Sequence, residues 1–174
     1  TLTEGKPTLD SVFAWEGNEQ VLLAQAAALQ AGSEHPLAHA VLSAWGNAPV
    51  GAALDVHAVP GRGVRGVVDG RALLLGSARM MAEAGIDTAP LAARAEALAS
   101  AGCTVSWLGE DTPTGGVLLG LFAFRDQPRA DAREAITYLK SLGIRTVMIS
   151  GDSAGAASAV GAAVGIDAVR ANVL

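Results

Sequence analysis

One cysteine, Cys103, stands among the 174 residues, so neither a disulfide framework nor a cysteine-rich zinc site can be built. Aromatic residues make up only 4% of the chain, and the 21 glycines and abundant alanines describe small residues packed closely. That composition fits neither a disordered tail nor a fibrous repeat. No apolar run approaches the roughly 20 residues that a bilayer span needs; Val21 to Leu29 is interrupted by Gln25. No transmembrane helix is expected. No basic segment followed by an apolar one opens the chain, so the sequence reads as cytosolic. Positive charge is in the minority, with 12 Lys+Arg against 17 Asp+Glu and a net charge of −5. This argues against nucleic acid as a partner. An anionic ligand would have to be held by local dipoles and backbone donors. What is present is a chain 51% hydrophobic, long enough for one ordinary domain or two small ones with a sizeable core.

Three textures follow one another. Thr8 to Trp15 leans to strand; an Ala/Leu-rich helix follows Gly17-Asn18 and runs to about Ala31, with Gly32 as its stop. Ser33 is the candidate N-cap of a second helix from Glu34 to about Trp45, with Pro36 in its first turn. Leu54 to Leu75 turns to strand, and Asp69-Gly70 between β-leaning runs signals a type I′ hairpin. Helices are expected over Ser77–Ala84 and Thr88–Ala101, then a second hairpin pairs Cys103–Leu108 with Gly116–Phe124 around the loop 110–114. Two helix pairs on an antiparallel sheet make an α+β plan. Past Phe124 the order becomes helix 130–142, strand 144–149, helix 154–164 and strand 166–170. Such alternation is the grammar of a parallel α/β sheet. The boundary is placed near 122–126, and the last piece has too few strands to complete a doubly wound sheet.

Four clusters could carry chemistry. In Ser33-Glu34-His35-Pro36, His35 meets the free N–H groups and positive dipole end of a helix start, where an imidazole can stack on or bond a planar base. His39, four residues on, also gives a metal-ligand spacing, but a third ligand would be required and only His57 and Cys103 remain. An ordinary helix-start residue is the plain alternative. Gly61-Arg62-Gly63-Val64-Arg65-Gly66 matches GxGxxG, yet strand and hairpin follow it instead of the helix that a dinucleotide fingerprint needs. A simple turn, or a backbone that a ligand can approach closely, both remain open. Ser150-Gly151-Asp152 lies where an apolar strand meets a helix, a place for a phosphoryl group or merely for an N-cap. Asp126-Gln127-Pro128-Arg129 sits at the boundary, as a stiff hinge or merely as a loop-to-helix junction.

In this order the segments resemble the cytosolic ATP-binding region of P-type ATPases, specifically the heavy-metal branch of copper and silver exporters. Thr1-Leu2-Thr3 is similar to the end of the DKTGTLT phosphorylation motif, Ser33 to Ala38 to the SEHPLA signature, and Gly61 and Gly63 to the GxG. Leu75-Gly76-Ser77 resembles a later glycine turn, Asp126 to Arg129 a DPPR-type hinge, and Met148 to Asp152 the MxTGD element with Ser for Thr. The resemblance implies a nucleotide-binding domain over 5–122, inserted in an incomplete haloacid-dehalogenase-like phosphorylation domain represented by a stub, 1–4, and by 123–174. It implies that ATP or ADP, with Mg²⁺, is bound through His35, with Glu34 beside it and Gln30 where the family has an acid. Gly61, Gly63 and Gly76 would give close backbone approach. Ser150 would contact the transferred phosphoryl, Asp152 would lie near the nucleotide when the domains close, and Asp126 and Arg129 would form the hinge. The phosphorylated Asp would lie four residues before Thr1 and the Mg²⁺-holding acids beyond Leu174, so these residues alone are expected not to turn over. The implied partners are the rest of the phosphorylation domain, the actuator and the membrane domain, with this region on the cytoplasmic face. Two other readings stand beside it: a metal-binding module using His35, His39 and His57, and a free-standing phosphatase using Asp10.

Overall fold

The computed structural model describes residues 2–151, 154–171 and 173. Six antiparallel strands form one sheet: β1 (Thr8–Ala14), β2 (Ala53–Val59), β3 (Gly63–Val68), β4 (Arg71–Gly76), β5 (Thr104–Thr112) and β6 (Gly115–Arg125), in the order β1-β6-β5-β4-β3-β2. Alternation along β4 explains why both faces need covering. Leu73 and Leu75 enter one core with Leu22 and Leu29 of helix α1 (Glu19–Gln30) and Val41 of α2 (Pro36–Trp45). Leu74 enters the other, with Met80 and Met81 of α3 (Ala78–Glu83), Leu91 and Trp107. Helix α4 (Ala92–Ser100), entered through a 3-10 turn at Ala89–Leu91, completes the second face. Each fully buried Leu on either face contributes about 1.5–3 kcal/mol, so these two layers hold the sheet. The α+β plan read from the sequence is the observed one.

The Asp69-Gly70 hairpin forms with both residues at positive φ, 50° and 76°, joining Val68 to Arg71. The second hairpin differs from expectation. Its strands run on to the pair Thr112↔Gly115, leaving Pro113-Thr114 as a two-residue turn in place of the loop 110–114. Glu110 stays in the strand because the Arg71 guanidinium meets its carboxylate at 2.6 Å, holding that carboxylate below its ordinary pKa. Helix α2 likewise begins two residues later than expected, at Pro36. A residue preceding proline is driven out of the helical region, and His35 at φ −68°, ψ 139° obeys that rule.

Beyond β6 lie α5 (Ala132–Ser141), β7 (Val147–Ile149), α6 (Ala154–Val164) and β8 (Ala168–Arg170). β7 and β8 pair in parallel, as the alternation predicts, but each is only three residues long. Ile144 is taken by the turn that ends α5, its N–H donating to the Leu139 carbonyl, and Thr146 is taken by Asp167. Ala132, Ile136 and Val164 form a small core joined by Leu2, Leu139 and Ile166. Val147 and Ile149 remain 53% and 68% exposed, so among the described residues one face of this pair of strands lacks cover, while Met148 and Val169 lie against Gly161 of α6 on the other. The composition shift near 122–126 falls inside β6, which continues unbroken to Arg125.

Candidate functional site

The turn between α1 and α2 is built as a relay of hydrogen bonds. The Ser33 N–H donates to the Gln30 carbonyl at 3.0 Å, and the Ser33 hydroxyl accepts from the His35 N–H at 3.3 Å. His35, not Ser33, is the N-cap: its Nδ1 accepts from the Leu37 N–H at 3.2 Å. With Nδ1 used as acceptor, the neutral ring carries its proton on Nε2. The exposed imidazole therefore presents a donor and an aromatic face at the start of a ten-residue helix. Gln30 is half-buried and Glu34 exposed, so the turn holds three of the residues singled out from sequence, Gln30 and His35 within the relay and Glu34 next to His35 in the chain.

The glycines divide into two kinds. Gly61, at φ +66°, has open space where a side chain would project. Gly63 does not. A Cβ there would lie 2.2 Å from the Leu75 carbonyl oxygen and 2.6 Å from the Gly76 Cα, while one on Gly76 would lie 2.3 Å from the Arg62 oxygen. Gly63 and Gly76 are cross-strand partners of β3 and β4, and the close approach of the two backbones requires glycine at both. The Ser77 N–H donates to the Arg62 carbonyl at 2.8 Å and its hydroxyl caps α3, which locks this corner. Arg62 and Arg79 both reach Glu83, at 3.2 Å and 2.9 Å, and their hydrogen bonds lower the pKa of its carboxyl.

Between the two parts of the chain, Leu2–Lys6 and Asp126–Arg129 run side by side. Thr3 bridges Pro128, the Glu4 N–H donates to the Gln127 carbonyl and the Arg129 N–H to the Leu2 carbonyl. The Asp126 carboxylate accepts from the Gly5 and Lys6 N–H groups at 3.2 Å and 3.3 Å. Arg129 pairs with Asp131 at 3.2 Å. Ser150 follows β7 directly; its N–H donates to the Arg170 carbonyl and its carbonyl accepts from Val173. Asp152 lies outside the described residues.

A groove of about 570 Å³ opens between the segment Gly5–Leu9 and the face of α2 that carries Pro36, His39, Ala40 and Ser43. Sequence reasoning missed this groove, because it joins residues some thirty positions apart. It also missed Arg125, which donates to Asp10, to the Ala101 carbonyl and to the Cys103 sulfur, and the lock in which the Thr146 N–H and hydroxyl donate to Asp167 while Lys140 pairs with it at 2.8 Å. Lys140 first, then Thr146, holds the Asp167 pKa down at about 2. Among the described residues no group of three His, Cys, Asp or Glu side chains gathers to hold a metal, so His35, His39 and His57 give a metal module no support. Asp10 is paired with Arg125 on an edge strand, which gives the free-standing phosphatase none either.

Known proteins match this architecture along its whole length. The haloacid dehalogenase-like hydrolase family matches residues 1–174. A copper-transporting P-type ATPase of Rhizobium leguminosarum bv. viciae is 41% identical over 177 residues, covering all of this chain and 21% of that protein. A silver exporting P-type ATPase of Salmonella typhimurium is 37% identical, again over the whole chain and 21% of the relative. The chain thus spans about a fifth of the length of these relatives. Among solved structures, a zinc-transporting PIB-type ATPase in its E2.Pi state superposes with a TM-score of 0.71 at 32% identity, covering 100% of this chain and 28% of that one. The N-domain of HMA6, a copper-transporting P-type ATPase, shares the fold with a TM-score of 0.55 at 22% identity, covering 70% of this chain and 99% of that one. The chain belongs to the haloacid dehalogenase-like hydrolase family, and what it resembles within that family is the catalytic region of heavy-metal P-type ATPases.

Proposed function

We propose that this chain is the ATP-binding part of a heavy-metal-exporting P-type ATPase, carrying a portion of its phosphorylation domain and working on the cytoplasmic side of a membrane. The observation that carries this is the His35 cap: Nδ1 is held by the Leu37 N–H, which leaves Nε2 and the ring face for adenine. Gln30 and Glu34 belong to the same turn, Gln30 accepting through its carbonyl from the Ser33 N–H. Gly61 offers an unhindered backbone, and Gly63 and Gly76 keep that corner narrow.

On this reading 5–122 is the nucleotide-binding domain, 1–4 and 123–174 belong to the phosphorylation domain, and Asp126 with Arg129 forms the hinge. The near-complete coverage of a known N-domain by 70% of this chain supports that division. The reaction in the whole pump would be transfer of the γ-phosphoryl of ATP to an Asp carboxylate: the bond to the β-phosphate bridging oxygen breaks as one to the carboxylate oxygen forms. Such transfer relies on positioning and charge stabilisation, which is why one domain delivers the nucleotide and another supplies the acceptor. Mg²⁺ would neutralise the phosphates, Ser150 would meet the phosphoryl group, and Asp152 would lie near the nucleotide when the domains close. On this reading the acceptor and most Mg²⁺ ligands would lie outside these 174 residues, which should then bind nucleotide without turning it over. Copper or silver is the proposed cargo, from the names of the relatives, and the rest of the phosphorylation domain, the actuator and the membrane domain are the proposed partners.

Calorimetric titration with ATP, ADP and GTP tests the reading. Binding selective for adenine and weakened about tenfold by His35→Ala, the loss of roughly 1.4 kcal/mol, is the expected result. A folded chain that binds no nucleotide would remove it.

A further inference from the structure

The guanidinium of Arg125, the last residue of β6, sits where several segments converge. Its Nε donates to the Asp10 carboxylate of β1 at 3.1 Å, its Nη1 to the Ala101 carbonyl at 2.8 Å and its Nη2 to the Cys103 sulfur at 3.2 Å. Ala101 is the C-cap of α4, and its carbonyl is among those that a helix end leaves without an intrahelical donor. Cys103 is fully buried just before β5. A pair with Asp10 would need only a cation, whereas two neutral acceptors at fixed positions need the planar fork of an arginine. One side chain therefore settles how β1, the end of α4 and the start of β5 lie against one another.

The braced turn is also a place where the two parts of the chain touch. Gly102, between Ala101 and Cys103, adopts φ +88°, and a Cβ built on it would lie 2.7 Å from the Ala159 Cβ of α6 and 3.9 Å from Arg125 Nη1. A Cβ on Gly155, in the first turn of α6, would lie 2.3 Å from the Ala99 carbonyl oxygen. The end of α4 is thus tied to Arg125 and abuts α6, with no room for either to shift toward the other. The residue after Arg125 is Asp126, whose carboxylate accepts from the Gly5 and Lys6 N–H groups. Arg125 therefore also roots in the sheet the ribbon that leads to the second part.

We propose that Arg125 is a positioning residue: by bracing the end of α4 it fixes the seat of α6, and with it the orientation of the part beyond Asp126 against the six-stranded sheet. The consequence for phosphoryl transfer rests on the function proposed above, since a misplacement of about 1 Å costs on the order of a hundredfold in a reaction that depends on alignment. Residual dipolar couplings of the isotope-labelled chain test the proposal in the wild type, Arg125→Gln, Asp10→Asn and Gly155→Ala. One alignment tensor should fit the sheet, α5 and α6 of the wild type. In Arg125→Gln the six strands should keep a common tensor while α5, α6 and the β7–β8 pair require another. Arg125→Lys, which keeps the charge and loses the fork, should give the same result and takes the place of the Gln variant should that one not fold. Asp10→Asn, which leaves the Ala101 and Cys103 bonds, should match the wild type, and Gly155→Ala should displace α6 with Arg125 intact. None of these residues belongs to the His35 turn, so ATP affinity should stay within about twofold throughout. A single tensor in the folded Arg125 variant or in Gly155→Ala, or separate tensors already in the wild type, overturns the proposal. So does an Asp10→Asn chain that behaves like Arg125→Gln, or an Arg125 variant whose strands lose their common tensor, because Arg125 would then only hold the sheet together. A folded wild type that gives the expected couplings but binds no ATP removes the nucleotide reading and leaves the positioning role standing.

Discussion

At the scale of the residue, His35 does two things with two nitrogens. Nδ1 caps α2 and Nε2 faces outward, so a substitution can separate stability from binding. His35→Asn keeps an acceptor at the cap, where Asn ranks among the best residues, but removes the ring. The variant should unfold within about 0.5 kcal/mol of the wild type, since surface changes that preserve a cap cost little, yet lose ATP affinity about as much as His35→Ala. Thermal unfolding set beside calorimetry checks this, and an Asn variant with undiminished ATP affinity would show that the ring is not the contact. The SEHP segment was legible in the sequence because its chemistry is local. The cap itself was misplaced by two residues, since Ser33 is the stronger capping type and only the constraint imposed by Pro36 moves the helix start.

At the scale of the element, the glycines show where local reading runs out. GxGxxG followed by a strand was correctly separated from a dinucleotide fingerprint, but nothing in one strand reveals what its neighbour presents. Gly63 is required by the backbone of β4, and Gly61 only by its own turn. Gly63→Ala, which combines φ +152° with a clash against backbone, should cost about 2–4 kcal/mol, whereas Gly61→Ala, strained at φ +66° but unobstructed, should cost about 1–2 kcal/mol. Chemical denaturation of the two variants measures the difference; equal costs would contradict the packing argument.

The β7–β8 pair makes a pH prediction. Asp167 is held at about 2 in the fold against an ordinary 3.8, chiefly by Lys140 and then by Thr146. A carboxyl depressed in the folded state lends stability above its unfolded value and loses it as the proton returns. The C-terminal part should therefore keep its protection above about pH 4 and lose it as pH falls toward 2. Hydrogen exchange at Val147–Ile149 and Ala168–Arg170 reads this directly, and Asp167→Asn should lower protection at neutral pH and flatten the acid dependence. A dependence unchanged in that variant would put the acid sensitivity elsewhere. No sequence pattern announced this lock, because Lys140 lies near the end of α5 while Thr146 and Asp167 sit in the connections just before β7 and β8.

At the scale of the whole molecule, the order of textures in the sequence was enough to give an antiparallel sheet carrying helix pairs and an α/β alternation after it, but not that the helices cover both faces of the sheet. The pairing of Leu2–Glu4 with Gln127–Arg129 was not readable, although both segments were noticed, since their hydrogen bonds join residues over 120 positions apart. The contact of α6 with α4 is also a product of the fold: a Cβ on Gly155 would meet the Ala99 carbonyl oxygen at 2.3 Å, and one on Gly102 would meet the Ala159 Cβ at 2.7 Å. Small residues there let the two parts touch, with the hinge ribbon joining them beside the groove at Lys6.

The claim that binds these scales together is that nucleotide enters at the α1–α2 turn. Amide and imidazole resonances of the isotope-labelled chain, followed as ATP is added, test it most directly. The account predicts that Gln30, Glu34, His35 and Gly61 shift first and saturate together, while residues of α3 and α4 stay in place. Shifts centred on α3 and α4, or none in a folded chain at millimolar ATP, would contradict it.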